Sequence, residues 1–254
     1  MVPDEQLTGL DRWVLGEFSK LETEVIAAYD NYEFHVVYQK VSQFIAVELS
    51  SIYHDVIKDR LYTDPANSQR RRSTQTALHR LVTGLSQLLS PILAFTADEA
   101  WEFVPGKPTG SVHASIFKPT SFDRSPNEIK EWEIMFELRA KALPRLEAAR
   151  QAKTIGKSLD AYVLGHHSTD AATEFKAEVI TKYLNEFKEL LNISQFKFNR
   201  DDSNSIESFI VFDATTAEGQ KCERCWHWET DIGQNAEHPT LCGRCVEAVK
   251  PFMA

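Results

Sequence analysis

Apolar residues recur at three- and four-residue steps through residues 1–103, a spacing that predicts helices. The clearest stripe is Phe34, Val37, Val41, Ile45, Leu49, Ile52 and Val56. It predicts one long helix over 34–62 with a single apolar face. Leu10, Trp13, Val14, Phe18, Leu21 and Val25 predict a helix before it. Ala77, Leu78, Leu81, Leu85, Leu88 and Leu89 predict one after it, ended or kinked by Ser90-Pro91. Thr96-Ala97-Asp98-Glu99 has the form of a capping box, with Thr96 as N-cap and Glu99 reaching back, opening a short helix that carries Trp101. Four helices with short connections predict an antiparallel bundle.

Residues 104–127 break the pattern. Four prolines, two glycines and four serines predict a linker or surface loop, with one short strand at 112–117. A helix then runs over 128–153, kinked or restarted at Pro144. Leu159–Leu164 reads as a strand. Residues 171–191 read as a helix, with Phe175, Val179, Leu184, Phe187 and Leu191 as candidate core. Strands follow at 194–199 and 208–212, joined by a turn at Asp201–Ser205. The fold class is mainly α: a helical bundle with its exit loop over 1–124, a small α+β domain over 125–215, and a cysteine module over 216–254.

All four cysteines lie in that module. Cys222 and Cys225 form one Cys-x-x-Cys pair, Cys242 and Cys245 another, and sixteen residues separate the pairs. This is the two-pair zinc pattern. Two such turns offer four thiolates in a tetrahedron with no open position, so the ion would be structural. The intervening run suits a small β-ribbon, with turns at Asp231-Ile232-Gly233, Asn235 and His238-Pro239, and Gly243 would let the second knuckle bend. The alternative is two disulfides or four free thiols. The N-terminus does not resemble a secretory signal, which argues against disulfides and for a cytoplasmic protein. A module this small cannot bury enough surface to fold alone, so the metal would supply the folding free energy.

The chain is 43% hydrophobic and 26% charged, ordinary for a soluble protein, and no apolar run reaches membrane-spanning length. Its formal charge of −9 argues against a nucleic-acid partner, but the charge is uneven. Residues 58–80 hold five arginines and one lysine against two aspartates, and 139–157 hold three of each base against one glutamate. Such runs are either solvated helix faces or local basic faces that bind phosphate. Other tempting sites are empty. Gly156-Lys157-Ser158 imitates the end of a phosphate-binding loop, but the required earlier glycine is Gln151. His166-His167 reads as a polar turn. Asp98-Glu99 and Asp201-Asp202 read as a helix start and a turn. No Ser/His/Asp or Cys/His arrangement stands out, so no catalytic residue is assigned.

Residues 30–62 (DNYEFHVVYQKVSQFIAVELSSIYHDVIKDRLY) and 88–101 (LLSPILAFTADEAW) resemble the anticodon-binding helical domain of class I aminoacyl-tRNA synthetases. The stretch 48–62 is most similar to the isoleucine enzymes. LDRWVL at 10–15 resembles the start of that domain, ARQAKTIGKSLDAYV at 149–163 the piece that follows it, and KCERCW with its second Cys-x-x-Cys the closing zinc module of bacterial-type isoleucyl-tRNA synthetases. The resemblance implies the C-terminal third of such an enzyme. The family's His-x-Gly-His and Lys-Met-Ser-Lys-Ser signatures do not occur, so no aminoacylation is expected from these residues alone, and ATP belongs to a catalytic domain elsewhere.

The resemblance further implies that the bundle and zinc module grip the anticodon end of tRNA-Ile, with that catalytic domain as a second partner and neither DNA nor membrane involved. Unstacked loop bases stack on aromatic rings and guanidinium planes. Trp226 would stack on a base and Arg224 would contact a base edge or phosphate; the alternative is that Trp226 packs inside the finger. Trp228 is assigned to the core. Lys58, Arg60, Arg70, Arg71 and Arg72 would form a basic rim, and Arg150 and Lys153 would touch the stem. Competing readings are a free-standing synthetase-derived RNA-binding protein and a zinc-dependent protein-interaction module. Formamidopyrimidine-type DNA glycosylases carry a similar zinc module, but they begin with a catalytic proline and glutamate, which Met1-Val2-Pro3-Asp4 does not match.

Overall fold

The computed structural model describes residues 1–168, 171–200 and 209–250. They fall into two compact units. One comprises Met1–Leu61 and Ala66–Ser125; the other holds Tyr62–Pro65 and the chain from Pro126 onward.

The first unit is helical. Helix α1 (Gly9–Asp30) buries Leu10, Trp13, Val14, Phe18, Leu21 and Val25, the face expected from the sequence. The predicted long helix is present but is not uniform. Helix α2 (Phe34–Phe44) passes into a π-helical segment (Ile45–Tyr53) and then into α3 (His54–Thr63). A π segment widens the turn, so the buried stripe steps five residues instead of four. Val37, Val41 and Phe44 are buried, and the next buried residues are Leu49, Tyr53, Val56 and Ile57. Ile45, expected in the core, is exposed as a result, and Phe34, at the start of α2, is exposed as well. Within the π segment the Ser51 hydroxyl donates to the Ala46 carbonyl at 2.7 Å, five residues back.

Helix α4 (Gln69–Leu89) starts at Ser68, whose hydroxyl accepts from the Arg71 backbone N–H. Helix α5 (Ala94–Glu102) starts two residues before the expected capping box, with Leu93 at the N-cap, so Thr96 does not cap it. Asp98 instead accepts from the Ser111 hydroxyl at 2.7 Å and the Val112 N–H at 2.9 Å. These bonds shape residues 112–114 as a 3-10 turn where a strand was expected. The loop is also pinned further on. Buried Glu22 accepts from the Thr120 N–H at 2.7 Å, and Arg124 pairs with Glu17 at 2.5 Å. Burial raises the Glu22 pKa against the pull of the Thr120 hydrogen bonds.

A buried ion pair holds α1, α3 and α4 together. Arg60 lies 3.4 Å from Asp11, and both are within 1% of full burial. Asp11 also accepts from Tyr53 at 2.6 Å, Ser73 at 2.5 Å and Thr8 at 2.7 Å. Arg60 donates to Thr8 at 2.8 Å. Burial and the Asp11 charge push the Tyr53 hydroxyl well above its ordinary pKa, so it stays a donor.

In the second unit, α6 (Pro126–Gln151) runs through Pro144, which sits on an exposed face. Strand β1 (Ala161–His167) is central: β2 (Gln195–Arg200) pairs parallel on one side and β3 (Ile210–Thr216) antiparallel on the other. β2 and β3 are therefore not neighbours. The expected turn at Asp201–Ser205, the Asp201-Asp202 pair and the start of the last strand at Ser208 lie outside the described residues. The predicted helix over 171–191 is two helices, α7 (Ala171–Lys182) and α8 (Leu184–Leu190). Val179, Phe187 and Leu191 are buried; Phe175 and Leu184 are exposed. Phe187, Phe196, Phe198 and Phe212 pack on the sheet. Gly165 leaves room for them, since a Cβ there would sit 2.4 Å from the Phe198 ring. His166 and His167 belong to β1, not to a turn, and buried His167 stacks on Phe198 and donates from Nδ1 to the Ser168 carbonyl. Among the described residues no helix is long and apolar enough to cross a membrane.

Removing one partner of a buried ion pair leaves the other uncompensated, at a cost of about 3–5 kcal/mol. Arg60→Met is expected to lower first-unit stability by about that much in urea unfolding. A loss under about 1 kcal/mol would show that Asp11 is satisfied by its hydroxyl donors alone.

Candidate metal centre and nucleic-acid interface

The first Cys-x-x-Cys turn follows β4 (Gln220–Lys221), which pairs antiparallel with β5 (Trp228–Glu229). The second opens α9 (Gly243–Val249). Backbone bonds bend each turn tightly. The Trp226 N–H reaches the Cys222 carbonyl at 2.9 Å, the Cys222 N–H reaches the His227 carbonyl at 2.9 Å, and the Val246 N–H reaches the Cys242 carbonyl at 3.0 Å. The expected turns are present. Gly233 has φ +90°, and Asn235 accepts from the Glu237 and His238 N–H groups at 3.0 Å each. Asp231 accepts from the Gly243 N–H at 2.8 Å, tying the ribbon to the second turn.

The four sulfurs converge. All lie within 4.8 Å of one another and all four residues are buried. Cys225 and Cys242 are 3.7 Å apart. Tetrahedral zinc with Zn–S near 2.3 Å requires about 3.8 Å between sulfurs, so the donor set fits. The sulfurs also act on one another's ionisation. Hydrogen bonds from Cys242 and Cys245 lower the Cys225 pKa, while the same bonds and burial raise Cys242, and Cys245 to about 12. Ionisation of one thiol thus opposes ionisation of its neighbours, an opposition that a bound dication would offset.

Trp226 stands at the rim of this cluster. It is 58% exposed and its φ is +66°, a left-handed conformation that bulky residues rarely adopt. The side chain therefore does not pack inside the finger. Trp228 does take a packing role: half-buried, it donates from its backbone to Ser194 at 2.8 Å and from Nε1 to Asp160 at 3.0 Å.

Two expected RNA contacts are corrected by the geometry. Arg60 is 1% exposed and held by Asp11 and Thr8, so it cannot reach a phosphate. Arg224 turns its guanidinium inward, donating to the Thr63 carbonyl at 2.5 Å, the Tyr62 carbonyl at 3.3 Å and the Cys245 sulfur at 3.6 Å. These partners all belong to the second unit, so Arg224 braces the cluster instead of presenting a base contact. Arg244, not singled out from the sequence, pairs with buried Asp64 at 3.4 Å in the same unit. The Asp-Pro spacing near Asp64 gave no signal that an arginine 180 residues away would meet it.

The remaining basic candidates lie at the surface. Lys58 is exposed beside Asp55, Arg72 is exposed, and Arg70 and Arg71 are half-buried, with Arg70 3.3 Å from Asp59. These four belong to the first unit. In the second, Lys153 is exposed, and Arg150 is exposed beside Glu147, with Ser158 at 3.1 Å.

Residues 11–164 match the family described as anticodon-binding domain of tRNA ligase, and residues 219–248 match the zinc finger found in FPG and IleRS. Curated relatives are isoleucine–tRNA ligases. That of Syntrophotalea carbinolica is 41% identical over 252 residues, covering 97% of this chain and 27% of that protein. That of Sodalis glossinidius is 39% identical over 253 residues, covering 98% and 27%. That of Geobacter sulfurreducens is 37% identical over 258 residues, with the same coverage. The chain thus spans 27% of the length of these relatives. The zinc-finger match and the clustered sulfurs support one structural zinc ion.

Zinc-bound finger modules owe an apparent 10–16 kcal/mol, roughly, to the metal. Cys242→Ser is expected to drop the zinc content from about one ion per chain to a small fraction. Chelation is expected to expose all cysteines to a thiol reagent together and to shift Trp228 fluorescence. Retained zinc in the serine variant, measured by metal analysis, would exclude four-sulfur ligation.

Proposed function

This chain belongs to the family of anticodon-binding domains of tRNA ligases, and from that premise we propose that it is the anticodon-reading part of an isoleucine–tRNA ligase. In this reading it binds tRNA-Ile, and a catalytic domain outside these residues attaches isoleucine with ATP. Cys222, Cys225, Cys242 and Cys245 hold the zinc. Trp226 stacks on an unpaired anticodon-loop base. Lys58, Arg70, Arg71 and Arg72 on one unit, and Arg150 and Lys153 on the other, meet phosphates.

The observation that carries the reading is Trp226. An aromatic ring is held 58% exposed, in a left-handed backbone conformation, directly after a cysteine of the metal cluster. A left-handed non-glycine residue costs roughly 1–2 kcal/mol, and glycine would remove that cost. Local folding does not ask for tryptophan at this position, whereas RNA recognition does. A base stacked on an aromatic ring contributes about 1–3 kcal/mol.

The test is a titration of the zinc-loaded chain against a tRNA-Ile transcript and the same transcript with an altered anticodon, at one salt concentration. A preference of tens-fold or more is expected. Trp226→Gly is expected to weaken binding by roughly 5- to 150-fold while leaving the zinc content unchanged. Weak binding that ignores the anticodon would favour a protein-interaction role instead.

A further inference from the structure

The segment Gly156-Lys157-Ser158 is not a phosphate-binding loop, yet its lysine is placed for phosphate. Lys157 Nζ lies 5.7 Å from the centre of the Trp226 ring, within reach of a cation–π contact. Both side chains are exposed.

Their spacing is built, not incidental. Asp160 accepts from the Lys157 backbone N–H at 2.9 Å through one oxygen. Through the other it accepts from Trp228 Nε1 at 3.0 Å, two residues beyond Trp226. One carboxylate thus ties the lysine's loop to the ribbon that carries the ring. Ser194 adds a second tie, accepting from the Trp228 N–H and donating to the Leu159 carbonyl at 2.5 Å. Further positive charge borders the pair: Lys221 lies 3.9 Å from Asp160, and Arg150 reaches Ser158, next to Lys157 in the chain.

We propose that Lys157 and Trp226 form a single nucleotide subsite, in which the ring takes the face of an unpaired RNA base and the lysine takes a phosphate flanking it. This rests on the RNA-binding reading above and adds to it a residue from outside the zinc module. The two groups do different work. Stacking accepts any base and is insensitive to salt, whereas the ammonium displaces a counterion from the strand and is salt-dependent. Together they fix where the strand runs across the ring.

The test measures affinity of the zinc-loaded full chain for the tRNA-Ile transcript across a salt series. Lys157→Gln is expected to weaken binding by roughly fivefold, the strong end for an exposed ion pair. It is also expected to lower the slope of log affinity against log salt by about 0.7. Lys157→Arg is expected to keep the slope. Trp226→Gly is expected to weaken binding without altering the slope. Zinc content and thermal unfolding of each variant report that the module is intact. An unchanged slope in Lys157→Gln, with Trp226→Gly still defective, overturns the subsite and leaves the RNA reading standing. Parent-like binding by both variants, or none by the parent, overturns both.

Discussion

Four buried sulfurs within 4.8 Å of one another offer a closed site for one zinc ion, and that site shapes the surface of the second unit around it. A bound dication would be held by the four sulfurs and would tie two distant turns into one rigid knot. Rigidity matters because of what the knot carries. Trp226 follows Cys225 directly, and its N–H is held by the Cys222 carbonyl. With both ends of the turn fixed, the backbone at Trp226 stays left-handed and the ring is aimed outward instead of collapsing onto the ribbon. The metal does no chemistry of its own here. It would hold firm the turn from which an aromatic side chain already projects.

The knot must also be fixed relative to its neighbours, and here the charged residues divide into two kinds. Arg224 and Arg244 point inward, to backbone carbonyls and to Asp64. Arg60 is likewise held, beneath a ring of hydroxyls around Asp11. Guanidinium suits these positions, since its fixed fork satisfies several acceptors at once. The outward charges are mostly lysines and the arginines at helix ends, where water screens them and phosphate can replace water. A chain with net charge −9 can bind an anion in this way because only the local face matters within a Debye length of about 8–10 Å.

Which features the sequence disclosed follows the same division. Local, periodic or covalently spaced signals were legible: the face of α1, the helix over 126–151, the two cysteine pairs and the turns between them. The resemblance to anticodon-binding domains lay in contiguous stretches and was equally readable. What escaped was set by tertiary partners. The π segment rotates the stripe by one residue, and a four-residue rule therefore put Ile45 inside and missed Phe44. Thr96 matched a cap pattern, but the helix already begins at Ala94 behind Leu93, which leaves Thr96 inside its first turn. Arg60 and Arg224 carried the right charge for RNA, and charge alone does not disclose a buried acceptor.

Lys157 shows the converse. Its sequence context suggested a phosphate loop and was discarded because the glycine pattern failed. Chemistry needs only the atoms, however, and the fold supplies by position what the motif lacks. Asp160 holds the loop against the ribbon from one side while the zinc knot holds Trp226 from the other. A ring and an ammonium fixed by independent anchors define a distance, and a distance selects among strand geometries more sharply than either group could alone. In the proposed subsite, the sheet domain and the zinc finger together, rather than the finger by itself, would therefore be the unit that meets a nucleotide.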